Sequence, residues 1–393
     1  MTALPKPVGL RWLAWAFWLL LFAIVLGDVA RRPTQHTTMP TYRLAATQWW
    51  QGQDPYSYKA HDAFLYFPQA ALLFTPFNVL PDALGEVLWR IATFGLFFYA
   101  VVRLTQFFLG RNGVFSDKAF LQLSLLAVLS SLASLRNAQF DLPLAALLVL
   151  TAAEVAASRW NAAAVWICLA IALKPLAVVP MLLFSALYWP LIPRVALGMV
   201  VVILAPFLHW NPAFVAHEYV RCFETLAWAA KGDEPRYSDL AALLSMRLGY
   251  DPAPALKTVA RLLFAAIVLG LAWQGVRRLP RPEAAWLVGA LSADYLMLFN
   301  PRTETCSYVF LGPFVASLAL VYARVPGRAW LGWLLGFAAL GLACDAVPEI
   351  KGVINIHALT DRWFKPFIAL VFLPILIQFI FEKKAETRHH SAN

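Results

Sequence analysis

Residues Asn161 to Tyr188 read NAAAVWICLAIALKPLAVVPMLLFSALY, an apolar run too long for one straight membrane helix, with Lys174-Pro175 at its midpoint. Proline removes a backbone donor and disfavours helix in the residue before it, so the run is expected to break into two short helices around Lys174. The break decides the topology. With it, the loops carrying Arg111 and Lys118, Arg159, Arg194, Arg277 with Arg278 and Arg281, and Arg324 with Arg328 share a side with Lys6 and Arg11. The tail with Lys383, Lys384 and Arg388 joins them. Without the break, the basic clusters after it face the opposite way. The positive-inside rule selects the broken form and puts both termini in the cytoplasm.

Composition gives the class. Of 393 residues, 61% are hydrophobic and only 14% charged, which excludes a soluble globular balance. Apolar segments recur almost end to end with no Ser- or Gly-rich linker, so residues 1–393 read as one integral domain. The net charge of +10 would suit nucleic acid, but Lys and Arg sit between apolar spans and form no single basic face. Membrane lipids are the expected surroundings, and nucleic acid is not an expected partner.

Trp12 to Val29 has about the 20 residues a bilayer helix needs. The following GDVARR lacks a small-x-small cleavage pattern, so the run reads as a retained first helix and not as a signal peptide. Further spans are expected at 86–109, 118–135, 141–157, 161–188 in two halves, 193–209, 258–277, 283–299, 306–323, 329–346 and 364–381. That makes an all-α polytopic membrane protein of about twelve transmembrane helices, multi-pass in the cell (inner) membrane. Residues 30–85 and 210–257 become extracytoplasmic loops, and Asp345 to Lys365 a further outer loop. Phe64 to Leu80, with Pro68 and Pro76, must then lie in or at the membrane without crossing it.

Polar residues collect near the outward helix ends: Asp28, Arg136, Asn137, Gln139, Asp141, Lys174, Asp294, Asn300, Arg302 and Glu304. A charge at the bilayer centre costs about 2.5–3.5 kcal/mol on insertion scales, so such residues face a cavity or a partner. Singly, each reads as an ordinary helix end; the one-sided collection reads as a site on the periplasmic face. The loop Thr38 to Pro68, dense in Trp, Tyr, Asp and His, lies over it. Cys168, Cys222, Cys306 and Cys344 show no metal-ligand spacing, so no metal and no cofactor are expected. A Cys222–Cys306 disulfide is compatible with the topology and is the weaker alternative to free thiols.

Tyr42-Arg43-Leu44-Ala45-Ala46, Gly52-Gln53-Asp54-Pro55-Tyr56 and Tyr66-Phe67-Pro68 with Pro76 and Leu80-Pro81 follow one another in the first loop. Asn137-Ala138-Gln139, Leu173-Lys174-Pro175 and Asn300-Pro301-Arg302 with Ser307-Tyr308 come later. In order and spacing these resemble glycosyltransferase family 87, over the chain to about Val321. The resemblance implies a GT-C-like helix bundle. It also implies a polyprenyl-phosphate sugar donor, a lipid or glycan acceptor and transfer on the outer face, as in polyprenyl-phosphomannose-dependent mannosyltransferases. Family members commonly carry Asp four residues before the Tyr of the first-loop motif, as the proposed base. Here that position is Thr38, a poor base.

An inverting displacement needs a carboxylate to take the acceptor proton and cationic groups on the departing phosphate. Asp28 is the first candidate base, with Asp62 and Glu304 behind it; Lys174, Arg302 and Arg136 are candidates for the phosphate. Tyr42, Asp54, Tyr56, Asn137, Gln139 and Asp141 are candidates for substrate hydroxyls. Each has a plainer reading. Lys174 could snorkel, Asp28 could pair with Arg31 or Arg32, Asp54-Pro55 is turn chemistry, and Asp141 is a good helix cap. Trp49, Trp50, Tyr56 and Tyr58 suit an interface belt before a sugar platform, on a helix lying at the membrane surface from Tyr42 to Gln51. Arg236-Tyr237-Ser238 in the second long loop suits either a lid or plain packing.

Two other classes use the same features. A transporter or flippase for lipid-linked or small solutes should show matching broken helices in two halves, and only one clear break is present. A degenerate family member serving as a scaffold in envelope glycan synthesis would explain Thr38.

Overall fold

The computed structural model describes residues 9–32, 35, 37–57, 63–110, 114–230, 237–344 and 362–390, with side chains to 382. Among these the chain is helical throughout, with no β-strand. Residues 58–62, which include Tyr58 and Asp62, residues 231–236 with Arg236, and most of the outer loop expected at Asp345 to Lys365 lie outside the described part.

The expected break is present. Helix α8 (Trp160–Leu173) ends at Lys174, whose backbone is extended at φ −150 and ψ 130, and Pro175 opens a short 3-10 turn into α9 (Val178–Leu187). The missing N–H of Pro175 and its clash with the preceding residue account for both features. Helix α3 (Pro68–Asn78) has only 11 residues, about 16 Å of rise, about half the thickness of a bilayer's hydrocarbon core.

By length and composition, six helical segments of the described part can cross a membrane: Gly9–Arg31, Asp82–Leu109, Asp117–Arg136, Trp189–Leu208, Pro254–Arg278 and Phe364–Glu382. Shorter apolar helices stand beside them, including α8, Gly312–Tyr322 (α15) and Ala329–Gly341 (α16). The chain is thus an all-helical, multi-pass membrane protein.

Its core is α7 (Asp141–Ala156), buried at every position from Asp141 to Val155. Around α7 pack α4 (Asp82–Leu104), α8 and α14 (Arg281–Phe299). The rim is inverted relative to a water-soluble protein. Leu19, Leu20 and Ile24 on α1 (Gly9–Arg31), Leu197 and Leu204 on α10 (Ile192–Leu204), and Leu262 and Leu263 on α13 (Pro254–Arg278) are exposed. Lipid, not water, suits such a surface.

Helix α2 (Met39–Gln51) departs from expectation. Tyr42, Ala45, Ala46 and Trp49 form its buried face, but that face packs on α3 within the protein and not on a bilayer surface. Trp49 is fully buried against His209 and Phe214, and the Trp50 indole donates to Thr75 Oγ1 at 2.8 Å. A spacing of i, i+3, i+4, i+7 marks one apolar face, whatever covers it. Gly52 in the left-handed region closes the helix, and the Gln53 N–H reaches Gln48 O at 2.9 Å.

The hairpin of α15 and α16 depends on Gly332. A Cβ there would meet the Ala323 backbone N at 2.4 Å and Cα at 2.6 Å. Gly332→Ala is expected to force the helices apart and cost about 1–3 kcal/mol, the range for overpacking. A lowered melting temperature in detergent checks this, and an unchanged one shows that the hairpin relaxes freely.

Candidate functional site

A cavity of about 610 Å³ opens where separated segments meet: 37–42, 63–66, 137–139, 174–176, 226–230 with Tyr237, and 300–304. The turn 137–139 is held in an unusual shape. Ala138 has a φ of 57, the Gln139 N–H reaches Ser134 O at 3.1 Å, and the Trp89 indole donates to Ala138 O at 2.9 Å. The turn closes α6 (Leu132–Arg136) and sets Asn137 and Gln139 in the cavity wall.

Lys174 lines the cavity, and its Nζ donates to Asp141 Oδ1 at 2.5 Å. Ser307 Oγ donates to the other oxygen, Oδ2, at 2.7 Å. Asp141 therefore anchors Lys174 from behind; it opens the first turn of α7 and does not cap it. Neutralised on one side and 6.0 Å from the Tyr66 ring centroid, Lys174 is oriented more than solvated.

Arg302 also lines the cavity, with Nε on Ala229 O at 3.1 Å and the guanidinium over the rings of Trp228 and Tyr237 at 4.9 and 5.5 Å. Among the described residues it has no carboxylate partner. Its positive charge is available to an anion.

Glu304 is the one cavity-lining carboxylate among the described residues. Gln139 Nε2 donates to Glu304 Oε2 at 2.7 Å, and the Cys306 thiol donates to Gln139 Oε1 at 2.8 Å. That chain fixes which way the Gln139 amide faces. In the sequence Cys306 stood out only as one half of the disulfide alternative and by its place near the Asn300-Pro301-Arg302 turn; like the other three cysteines it forms no disulfide. The disulfide alternative is excluded.

Tyr42 and Tyr66 close one side, hydroxyl to hydroxyl at 3.2 Å, and the Phe140 N–H donates to Tyr42 Oη at 3.3 Å. Burial first, then neighbouring negative groups, pushes both phenols upward, so they act as neutral hydrogen-bonding groups. Thr38 lies in the same wall, and its hydroxyl donates to Asn137 O at 2.9 Å.

Other candidates are elsewhere. Asp28 pairs with Arg136 Nε, and Arg136 also donates to Gln35 O. Neither Asp28 nor Arg136 lines the cavity; together they strap the end of α1 to α6. Asp54 accepts from the Tyr56 N–H at 2.7 Å, an Asx turn, and from Arg221 Nε at 3.0 Å. The Tyr56 hydroxyl donates to Tyr66 O at 2.8 Å from a fully buried position. Asp54 and Tyr56 shape the loop behind the cavity and do not border it.

Beside Asp54 lies Glu218 of α11 (Pro212–Ala229), 1% exposed and with Oε2 unpartnered. Burial, and secondarily the Asp54 carboxylate, pushes its carboxyl from 4.5 up to about 8, with Arg221 opposing. The folded state thus holds a proton that the unfolded chain gives up. Stability from this group is full below about 4.5 and is lost as pH rises to about 8. The melting temperature is expected to fall across that window, and Glu218→Gln to remove most of the slope. Equal slopes in both proteins would show that the Glu218 proton is not linked to folding.

The model of glycosyltransferase family 87 matches residues 64–301, more than half of the chain. The chain belongs to glycosyltransferase family 87. No curated protein matches it. The family 87 match takes in Tyr66, Asn137, Gln139, Asp141 and Lys174, and stops just before Arg302 and Glu304. The resemblance read over Tyr42 to Tyr56 and beyond Pro301 lies outside the matched residues. Those family-unmatched flanks supply Thr38, Tyr42, Arg302 and Glu304 to the cavity.

Proposed function

We propose that this membrane glycosyltransferase moves a sugar, mannose or another hexose or pentose, from a polyprenyl-phosphate donor to an extracytoplasmic lipid or glycan acceptor. One observation carries the reading: the cations Lys174 and Arg302 and the carboxylate Glu304 border the same cavity. The acceptor hydroxyl gives its proton to Glu304 as its oxygen attacks the anomeric carbon. The bond to the phosphate oxygen breaks, and the polyprenyl phosphate leaves with the electron pair. Arg302, which has no carboxylate partner among the described residues, meets the developing charge, and Lys174 assists. One displacement inverts the anomeric centre. Asn137, Gln139 and Tyr42 are the wall groups for sugar hydroxyls.

The proposed topology keeps twelve helices in one domain with both termini cytoplasmic in the cell membrane, and loops 30–85 and 210–257 over the site. The break at Lys174, the short α3 and the distribution of Lys and Arg support it.

The test supplies radiolabelled polyprenyl-phosphate sugars to membranes that contain the full chain and native acceptors. Label should move from at least one donor. Transfer from none, with the protein inserted, would sink the donor assignment and leave the scaffold reading that Thr38 suggests.

A further inference from the structure

A second cavity, of about 220 Å³, lies at the N-terminal end of α13, between α12 (Leu240–Leu248) and the last turn of α14. Its walls are mostly apolar, from Leu240, Leu244, Leu256 and Phe299. Two cations border it, Lys257 and Arg261, spaced i, i+4 and therefore on one face of α13.

Arg261 is half-buried and fixed in place: Nε donates to Phe299 O at 3.0 Å, and the Arg261 carbonyl accepts from the Tyr295 hydroxyl at 3.1 Å. Among the described residues its Nη atoms have no partner and no carboxylate pairs with it. Lys257 pairs at 3.0 Å with Asp251, whose side chain is 74% exposed, a pair that solvent screens. Asp239 also borders the cavity, with Oδ1 occupied by the Ala242 N–H at 2.9 Å; burial raises its carboxyl, and Arg261 and Lys257 oppose that shift. From this end α13 runs on as a lipid-facing helix, with Val259, Leu262 and Leu263 exposed.

We propose that this cavity binds the headgroup of an anionic phospholipid, with its phosphate on Arg261 and Lys257 and its acyl chains along the outer face of α13. A half-buried guanidinium with open donors, at the end of a membrane helix and over an apolar floor, matches a phosphate that carries a hydrocarbon tail.

The site shares a wall with the first cavity. Tyr237 faces one and Asp239 the other, and Asn300 to Arg302 face one while Leu298 and Phe299 face the other. Between them the Ser238 N–H donates to Thr303 O at 2.7 Å and the Tyr308 hydroxyl to Ser238 O at 2.9 Å. A lipid seated here braces the segment that carries Arg302 and Glu304.

The purified full chain, carried in nanodiscs of mixed phosphatidylcholine and phosphatidylglycerol, is released and weighed by native mass spectrometry, without any sugar donor. Wild type should retain phosphatidylglycerol over phosphatidylcholine. Lys257→Gln and Arg261→Gln should each reduce the retained anionic lipid about tenfold or more, as expected for a lost hydrogen bond to a charged group. Equal retention of the two lipids, or unchanged retention in the variants, overturns the proposal. So does displacement of the lipid by inorganic phosphate, which would mark a free-phosphate site. Lys257 pairs only with the exposed Asp251 among the described residues, so its variant keeps the test valid if Arg261→Gln fails to fold. No step of this reading depends on sugar transfer.

Discussion

Glu304→Gln is expected to lower turnover about 10²- to 10⁴-fold, the usual contribution of a general base, with little change in KM for the donor. The substitution is nearly isosteric, and an amide oxygen can still accept from Gln139 Nε2, so the wall of the cavity should stand. Asp28→Asn provides the contrast. Asp28 pairs with Arg136 away from the cavity, and its loss should lower the melting temperature while turnover per folded molecule is kept. Radiolabel transfer and thermal unfolding, measured on both variants, separate the roles. Abolished turnover in Asp28→Asn alongside an active Glu304→Gln would move the base to Asp28.

Lys174→Met is expected to destabilise the protein and end transfer, for two different reasons. The Asp141 side chain is 2% exposed, and without Lys174 it keeps only Ser307 as partner; a buried charge stripped of its counter-ion costs about 3–5 kcal/mol. The donor phosphate also loses a cation. Pairing Lys174→Met with Asp141→Asn removes both charges and should recover most of the melting temperature, while transfer stays lost. A double variant that regains transfer as well would reduce Lys174 to the counter-ion of Asp141. Arg302 would then be left as the cation that binds the phosphate.

Features set by local chemistry were legible in the sequence. Composition alone put the chain in a membrane, Pro175 broke the helix at Lys174, and prolines with a short apolar run gave only the 11-residue helix α3. Each follows from residues within a few positions of one another, through backbone sterics, hydropathy and length. The likeness to family 87 was legible for the same reason, since its motifs are short and contiguous.

The roles of charged groups were not, because they depend on which distant side chain arrives opposite. Asp28 and Arg136 are 108 residues apart and satisfy each other; Asp141 meets Lys174 across 33 positions and Ser307 across 166. Nothing around Asp28 or Glu304 in the sequence distinguishes a carboxylate held in an ion pair from one that borders a cavity. α2 makes the same point for apolar faces: its stripe was evident, but only the packing of α3 against it, with His209 and Phe214 against Trp49, decided that protein covers it. Sequence by itself determined where the chain is apolar, where it breaks and which residue types it offers to chemistry. The tertiary structure decided which of them face the cavity, because long-range pairing sets which charges are neutralised and which remain open to a substrate.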